Sequence, residues 1–330
     1  MSVWLRTAGL VVHVDGDAPW TELVRESCAG QQMPGPAATA DVHVMVSDDA
    51  TVSARTGHRL VTRGAWTDGR EVVLTDACSS GLDVVVRTGR GTLEVVARPL
   101  RGWRQRALGL AAPDRQVLLQ RAVLVQYPAL WWAGTKGQVP MHVSAATVDG
   151  FAVVLAGPGG VGKSTLVATL TGPTDAPVSD NLCTTDGRTV HGLLEPTRAE
   201  GGSGRRMPHG RRESPWSTHV DSVRPDAVLV LSRGDGDAVE VIRIDPDAAA
   251  RELVGGTYAA GELRRYWAYA ATLALGTGLG PAHPPVADVA AALAGRVPVL
   301  GVRLPRAPGT TLGEIVDRVR ALVPAEEVGS

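Results

Sequence analysis

The sequence predicts an α/β protein: a smaller, strand-rich α+β domain over residues 1–112, a connecting helix over 113–138, and an α/β domain with a central mixed sheet over 139–330. Three observations predict it. Apolar and polar residues alternate in short runs through the first hundred positions, and one long apolar stretch follows. A strand, a glycine-rich loop and a helix then succeed one another near the middle of the chain, with further strands and helices alternating behind them.

In the first part, alternation marks strands at Leu10 to Val14, Asp41 to Val46, Arg59 to Arg63, Glu71 to Thr75, Leu82 to Arg87 and Leu93 to Arg98. Asp68-Gly69 and Thr88-Gly89-Arg90-Gly91 are turn sequences between apolar runs, so this part reads as largely antiparallel. Pro113 to Ala133, PDRQVLLQRAVLVQYPALWWA, has the bulk and spacing of a buried helix. Pro113 and Asp114 suit its first turn, and Pro128 is expected to kink or end it. Trp131 and Trp132 are expected to pack at the join.

The second part reads as strand (Met141 to Val148), an Asp149-Gly150 turn, strand (Ala152 to Leu155), glycine loop and helix (Lys163 to Leu170). Strands follow at Asp226 to Leu231, Val239 to Ile244 and Pro298 to Leu304. Helices follow at Asp247 to Val254, Glu262 to Leu275 and Leu312 to Leu322. The stretch between Thr197 and Thr218, rich in Gly, Arg and Pro and without periodicity, is expected to be a mobile loop.

At 330 residues and 44% hydrophobic, the chain can bury a real core. Lys and Arg total 33 against 34 Asp and Glu, a net charge of -1, so no polyanion-binding or membrane-coating surface is expected: no nucleic acid partner and no membrane. Cys28, Cys78 and Cys183 lack CxxC or CxxH spacing, which argues against a disulfide framework and a zinc site and fits a reducing cytoplasm. No window approaches the 18 or so apolar residues of a membrane span, and the N-terminus carries no leader pattern. A soluble, unprocessed protein is expected, with a homo-oligomer allowed.

Gly157-Pro158-Gly159-Gly160-Val161-Gly162-Lys163-Ser164-Thr165 matches GxxxxGK[ST], led by the apolar strand FAVVLA and continued by the helical TLVATL. In that context loop N–H groups would cradle the phosphates of a nucleoside triphosphate, Lys163 would reach the β and γ oxygens, and the Ser164 hydroxyl would join a Mg²⁺ shell. Lys163 is one of only two lysines, with Lys136. The guanine signature NKxD therefore has no place in the chain, which argues against a GTPase switch. The hydrophobic strand AVLVLSRG ends in Ser232 and Arg233 where a transporter ATPase would carry Asp-Glu.

Pro177-Val178-Ser179-Asp180-Asn181 lies 17 residues past Lys163. A carboxylate there, at Asp180, can hold Mg²⁺ or take the proton of an attacking hydroxyl, or merely cap a turn. His142 falls on the strand expected to pair with the loop strand. Arg198, Arg205, Arg206, His209, Arg211 and Arg212 offer cations for phosphate or an anionic acceptor, and otherwise a solvated surface. Arg264 and Arg265 open an apolar helix, one of them a candidate to face the nucleotide. His283 before a Pro-Pro pair reads as a turn residue.

MHVSAATVDGFAVVLAGPGGVGKSTLVATL followed by PVSDN resembles the kinase core of the HPr kinase/phosphorylase family, related in fold to the ATP-dependent phosphoenolpyruvate carboxykinases, over roughly residues 138–200. The resemblance implies a P-loop kinase core with a central mixed sheet, ATP and Mg²⁺ as cofactors, and phosphoryl transfer to a hydroxyl acceptor, a peptide Ser/Thr or a small-molecule alcohol. It implies that Lys163 and Ser164 handle phosphate and metal, that Asp180 stands where the family's general base activates the acceptor, and that His142 flanks the transferring phosphate. The family's second acid is Asn181 here, and its LEIRG-type signature is missing, so HPr itself and the reverse phosphorylase reaction are not expected. The N-terminal half resembles the leading domain of HPr-kinase-like proteins rather than that of the bacterial regulator. Two other readings stay open: a nucleotide-dependent binding or regulatory protein with little or no ATPase activity, and a carboxykinase-like enzyme acting on a carboxylate metabolite.

Overall fold

In the first ninety-nine residues, β-branched runs build a sheet whose inner face is buried along its length and whose outer face is also covered, by Val52, where Val73, Val85 and Val96 meet it. Its strands are β1 (Ser2–Thr7), β2 (Leu10–Gly16), β3 (Val42–Val46), β4 (Arg59–Thr62), β5 (Ala65–Thr67), β6 (Glu71–Leu74), β7 (Leu82–Thr88) and β8 (Leu93–Pro99). They lie in the order β1-β2-β3-β8-β7-β6-β5-β4. The computed structural model describes residues 1–28, 30–35, 39–53, 57–199, 204–207 and 211–323.

The expected largely antiparallel arrangement holds for five of the seven neighbour pairings; β2 with β3, and β3 with β8, pair in parallel, so the sheet is mixed. Helix α1 (Ala18–Ser27) supplies the β2–β3 crossover. It was unmarked in the sequence because only Thr21, Val24 and Ser27 of its ten residues are buried, too thin an apolar stripe to stand out.

After α2 (Trp103–Ala111), the long apolar stretch forms α3 (Pro113–Arg121), a π-helical turn over Ala122–Gln126, and α4 (Tyr127–Thr135). Pro128 does not end the helix. Proline has no N–H to return to the carbonyl four residues back, and the chain widens ahead of it so that Tyr127 N–H bonds Ala122 O. Trp131 and Trp132 are buried as expected, in one core with the inner face of the eight-stranded sheet. Leu263, Tyr266, Tyr269 and Leu273, from far along the chain, complete that core.

The remaining strands are β9 (Val139–Met141), β10 (Ser144–Val148), β11 (Phe151–Ala156), β12 (Ala176–Ser179), β13 (Cys183–Thr185), β14 (Val190–Gly192), β15 (Thr197–Ala199), β16 (Arg212–Ser214), β17 (Ser222–Val223), β18 (Ala227–Arg233), β19 (Glu240–Arg243) and β20 (Val299–Leu304). A mixed six-stranded sheet runs β12-β10-β11-β18-β20-β19, with β11, β18 and β20 parallel. The helices of this half are α5 (Lys163–Val167), α6 (Pro246–Ala259), α7 (Tyr266–Thr277), α8 (Val286–Ala294) and α9 (Leu312–Leu322). α5 and α9 cover one face of the sheet, and α6 and α8 the other. Burial on both faces explains why FAVVLA and AVLVL read as unbroken apolar runs. Thr311 and Glu314 close a reciprocal capping box at the start of α9.

A four-stranded sheet, β17-β14-β13-β9, lies against this assembly. The strand expected from Met141 to Val148 is therefore two strands in two sheets, β9 and β10, with His142 and Val143 at the changeover. Parts of the expected mobile loop are ordered: β15 and β16 pair antiparallel, Thr197 opposite Ser214 and Ala199 opposite Arg212. Helix α5 ends at Val167 rather than at Leu170. Among the described residues no helix is long and apolar enough to cross a membrane.

Candidate functional site

The glycine loop leaves the carboxyl end of β11, beside those of the parallel strands β18 and β20, where α/β sheets open their crevices. Gly157 must be glycine: its φ is 135°, and a Cβ there would sit 2.7 Å from Leu231 O. Nothing lies within 4 Å of the Cβ that Gly159 or Gly160 would carry. Val161 N–H closes a turn on Pro158 O at 3.3 Å, whereas the N–H groups of Gly159, Gly160, Gly162 and Lys163 take no protein acceptor among the described residues. Four neighbouring donors without acceptors, on backbone that leaves open space in front of two glycines, form a cradle that fits phosphate oxygens.

Lys163 is buried, and its Nζ donates to Gly157 O at 2.7 Å and Pro158 O at 3.3 Å. Burial lowers its pKa to about 8, against the pull of Glu262. The other lysine, Lys136, pairs with Asp41 at 2.5 Å on the surface. The Ser164 hydroxyl donates to the backbone O of Asp180 at 3.0 Å, and Ser144 Oγ donates to the same oxygen at 2.7 Å. β10, the end of β12 and the first turn of α5 are thus tied to one atom.

The Asp180 side chain is buried. Arg198 N–H donates to its Oδ2 at 3.2 Å and Thr197 Oγ1 approaches the same oxygen at 3.5 Å, while Oδ1 has no hydrogen-bond partner among the described residues. Burial pushes its carboxyl above the usual range, against the opposing charge of Arg198. A buried carboxylate oxygen with nothing to accept from fits a divalent cation or a substrate hydroxyl.

Two acids that the sequence did not mark complete the cluster. The Arg198 guanidinium donates to Glu262 at 2.8 Å and stands 3.5 Å from Glu195. Burial raises Glu195 to about 7 in spite of Arg198, with Asp180 and Glu262 adding to the rise. For Glu262 burial acts upward too, but Arg198's charge and hydrogen bond outweigh it and hold the carboxyl below its ordinary value. Gln126 Nε2, from the π-helical turn, donates to Glu195 Oε1 at 2.6 Å, and Tyr127 OH donates to Glu262 O at 3.1 Å. Pro128 thus leaves a signal after all, since the wide turn ahead of it carries the residue that holds Glu195.

His142 sits between β9 and β10 and not within a strand. Its N–H donates to Thr257 Oγ1 at 3.1 Å, and its Nδ1 has no partner among the described residues. Burial and the charge of Lys163 lower its pKa, against Glu262. Asn181 Nδ2 is likewise buried without a formed hydrogen bond, beside Glu195.

The arginines fall into different settings. Arg198 lies in the acid cluster. Arg211 NH2 reaches Thr165 Oγ1, in α5, at 3.4 Å. Arg205 instead ties the ribbon to the first half of the chain through Glu26 at 3.0 Å and Asp114 at 3.2 Å. Arg206 and Arg264 are exposed, and Arg212 donates to Gly204 O at 3.0 Å. His209 lies outside the described residues. Arg233, at the end of β18, was read in the sequence only as standing where a transporter ATPase would carry an acid, yet its guanidinium lies 3.2 Å from where a Cβ on Gly162 would stand. His283 accepts from or donates to Tyr258 OH at 3.0 Å.

No protein-family model matches the chain, and no curated protein matches it. Among solved structures it is similar to the HPr(Ser) kinase/phosphatase from Coxiella burnetii at 12% identity, over 56% of this chain and 89% of that one, with a TM-score of 0.28. At that TM-score the likeness assigns no residue and no reaction.

Proposed function

We propose that the chain is an ATP- and Mg²⁺-dependent phosphotransferase that moves the γ-phosphoryl group to a hydroxyl, on a peptide Ser or Thr or on a small-molecule alcohol. The observation that carries this reading is the Asp180 carboxylate: buried, with Oδ1 unpartnered, and tied through its own carbonyl to Ser164 in the loop that fits phosphate. Gly157 to Thr165 would hold the triphosphate, Ser164 the metal directly, and Asp180 the metal through a water. Mg²⁺ bound with ATP supplies neutralisation of the charge that develops on the transferred group.

Lys163 moves its ammonium from the carbonyls of Gly157 and Pro158 to phosphate oxygens. Asp180 takes the acceptor's proton at Oδ1, and its raised pKa suits a base that must release the proton again. Arg198 keeps Glu195 and Glu262 from repelling the incoming phosphate. His142, neutral at pH 7, lies beside Lys163 and hydrogen-bonds the transferred group.

Incubating the protein with labelled ATP and candidate acceptors tests the reading. Lys163→Ala should lose ATP binding. Asp180→Asn should keep binding and lose transfer by about 10²–10⁴-fold, the usual worth of a positioned base. Full transfer in Asp180→Asn overturns the base assignment. The presence of Asn181 where a second acid would stand favours a second reading, a nucleotide-dependent regulator: ATP binding without any phosphorylated product would select it. Transfer to a carboxylate would select the carboxykinase-like alternative.

A further inference from the structure

The face of the eight-stranded sheet turned away from the core carries a row of side chains, one to a strand. Trp4, His13, His43, Glu94, Arg87 and Glu71 are Cα partners in register across β1, β2, β3, β8, β7 and β6. Their chain neighbours Leu5, Val12, Val42, Val95, Val86 and Val72 all point the other way, into the core.

Within this row His13 Nδ1 and His43 Nδ1 are 3.4 Å apart. Two ligands about 2.0–2.1 Å from a tetrahedral zinc ion stand about 3.3–3.4 Å from each other, so the pair already has the bite of a chelate. The far nitrogen of His13, Nε2, lies 3.3 Å from Asp15 Oδ2. A carboxylate on the second ring nitrogen is the usual orienting partner of a metal-binding imidazole, because it fixes the tautomer that leaves the first nitrogen's lone pair free. Trp4 stacks on the His13 ring at 4.1 Å and 20°, which holds the ring plane.

A groove of about 510 Å³ opens beside His43, lined by Asp15, Met45, Thr88 and Glu94 among others. It leaves room for water or an outside ligand to fill the remaining positions. The nearby trio His58, Asp68 and Glu71 is already spent: Glu71 takes His58 and Arg87, and Asp68 Oδ1 accepts the N–H groups of Arg70 and Glu71.

We propose that His13 and His43 bind a divalent first-row transition ion of the zinc class on the open face of the N-terminal sheet, with Asp15 orienting His13 and the other coordination positions left open. The sequence argued against a zinc site only at the cysteines and the residues close to them in the chain. Thirty residues separate these histidines, and only the parallel pairing of β2 with β3 brings them together.

Titrating the full chain with ZnCl₂ in Mg²⁺-free buffer, read by calorimetry, tests this. One bound equivalent is expected, weaker than at a site with three or four protein ligands. His13→Ala and His43→Ala should each abolish it, Asp15→Asn should weaken it about 10–100-fold, and Lys163→Ala should leave it unchanged. Binding that survives in the His13→Ala/His43→Ala double variant, or no binding in the unaltered protein, overturns the site. Unchanged affinity in Asp15→Asn overturns the orienting role. Far-UV circular dichroism on each variant separates loss of the site from loss of the fold.

Discussion

Two arginines, one buried and one with 19% of its side chain exposed, divide this molecule by what their surroundings leave undone. Arg121, where α3 and α1 meet the β15–β16 ribbon, donates to Leu23 O at 3.2 Å, Glu213 at 2.6 Å and Glu26 at 2.8 Å, with 3% of its side chain exposed. Arg198, near the glycine loop, has three acids around it and still leaves its Nε without a partner among the described residues. Asp180 Oδ1, His142 Nδ1 and Asn181 Nδ2 close by are in the same condition. Other buried polar atoms without a partner among the described residues, on Trp131, Trp132, Trp267, Tyr269 and Arg205, lie away from the loop. Only here do an acid, an imidazole, an amide and a guanidinium stand open together beside it, and folded proteins satisfy nearly all such groups unless another molecule completes them. Arg121, bound on every side by fold-building groups, holds the fold together, whereas Arg198 stands among open polar neighbours at the candidate site.

The comparison predicts opposite consequences for the same change. Arg121→Met strips the cation from Glu213, itself buried and already raised by that burial. It should cost about 3–5 kcal/mol of stability by denaturant unfolding and leave the pH profile of the proposed phosphate transfer in place. Arg198→Met should move that profile. Removing its charge raises Asp180, Glu195 and Glu262 together, so the acidic limb of activity shifts to higher pH. If both variants shift the profile, or neither does, the division between fold and site fails.

A smaller effect sharpens the same point. Glu195 goes from 4.5 to about 7 on folding. Because the folded value is the higher one, its contribution is fully present below about pH 4.5 and is lost as pH rises through about 7. That span corresponds to on the order of 3 kcal/mol of unfolding free energy. Measured unfolding should therefore become easier between pH 5 and 8, and Glu195→Gln should remove most of that slope. A slope unchanged in Glu195→Gln would place the titration elsewhere in the cluster.

What the sequence made legible follows from where its signals are local. The glycine loop, with Lys163 and Ser164, is contiguous, and its leading strand is apolar throughout because the sheet covers it on both sides. The β7–β8 and β5–β6 hairpins declare themselves through their turn residues. Glu195 and Glu262 carry no local mark. They stand 67 residues apart, and it is Arg198, itself folded in by the ribbon, that brings them together. The parallel pairings of β2, β3 and β8 were hidden for the same reason, since partners in a parallel pair are joined through a crossover rather than a turn. His142 shows the converse: an apolar run long enough for one strand holds the passage between two sheets, and alternation does not reveal which sheet a strand joins.

The smallest predicted effects concern the arginines of the ribbon and of the segment before α7. Arg211 touches α5 through a single hydroxyl at 3.4 Å, so Arg211→Ala should raise the KM for ATP by only a few-fold, about 1 kcal/mol. Arg205, bound to Glu26 and Asp114 on the opposite side, should change stability by about 0.2–1 kcal/mol on replacement by Ala and leave KM alone. Arg264 is exposed after the turn over Gly261–Leu263, and Arg264→Ala should stay within about 0.5 kcal/mol in stability with no change in KM. The order matters more than the sizes. If Arg264→Ala raised the KM for ATP more than Arg211→Ala, the nucleotide would have to lie on the α7 side of the loop, and the acceptor would then be expected on the side of the ribbon.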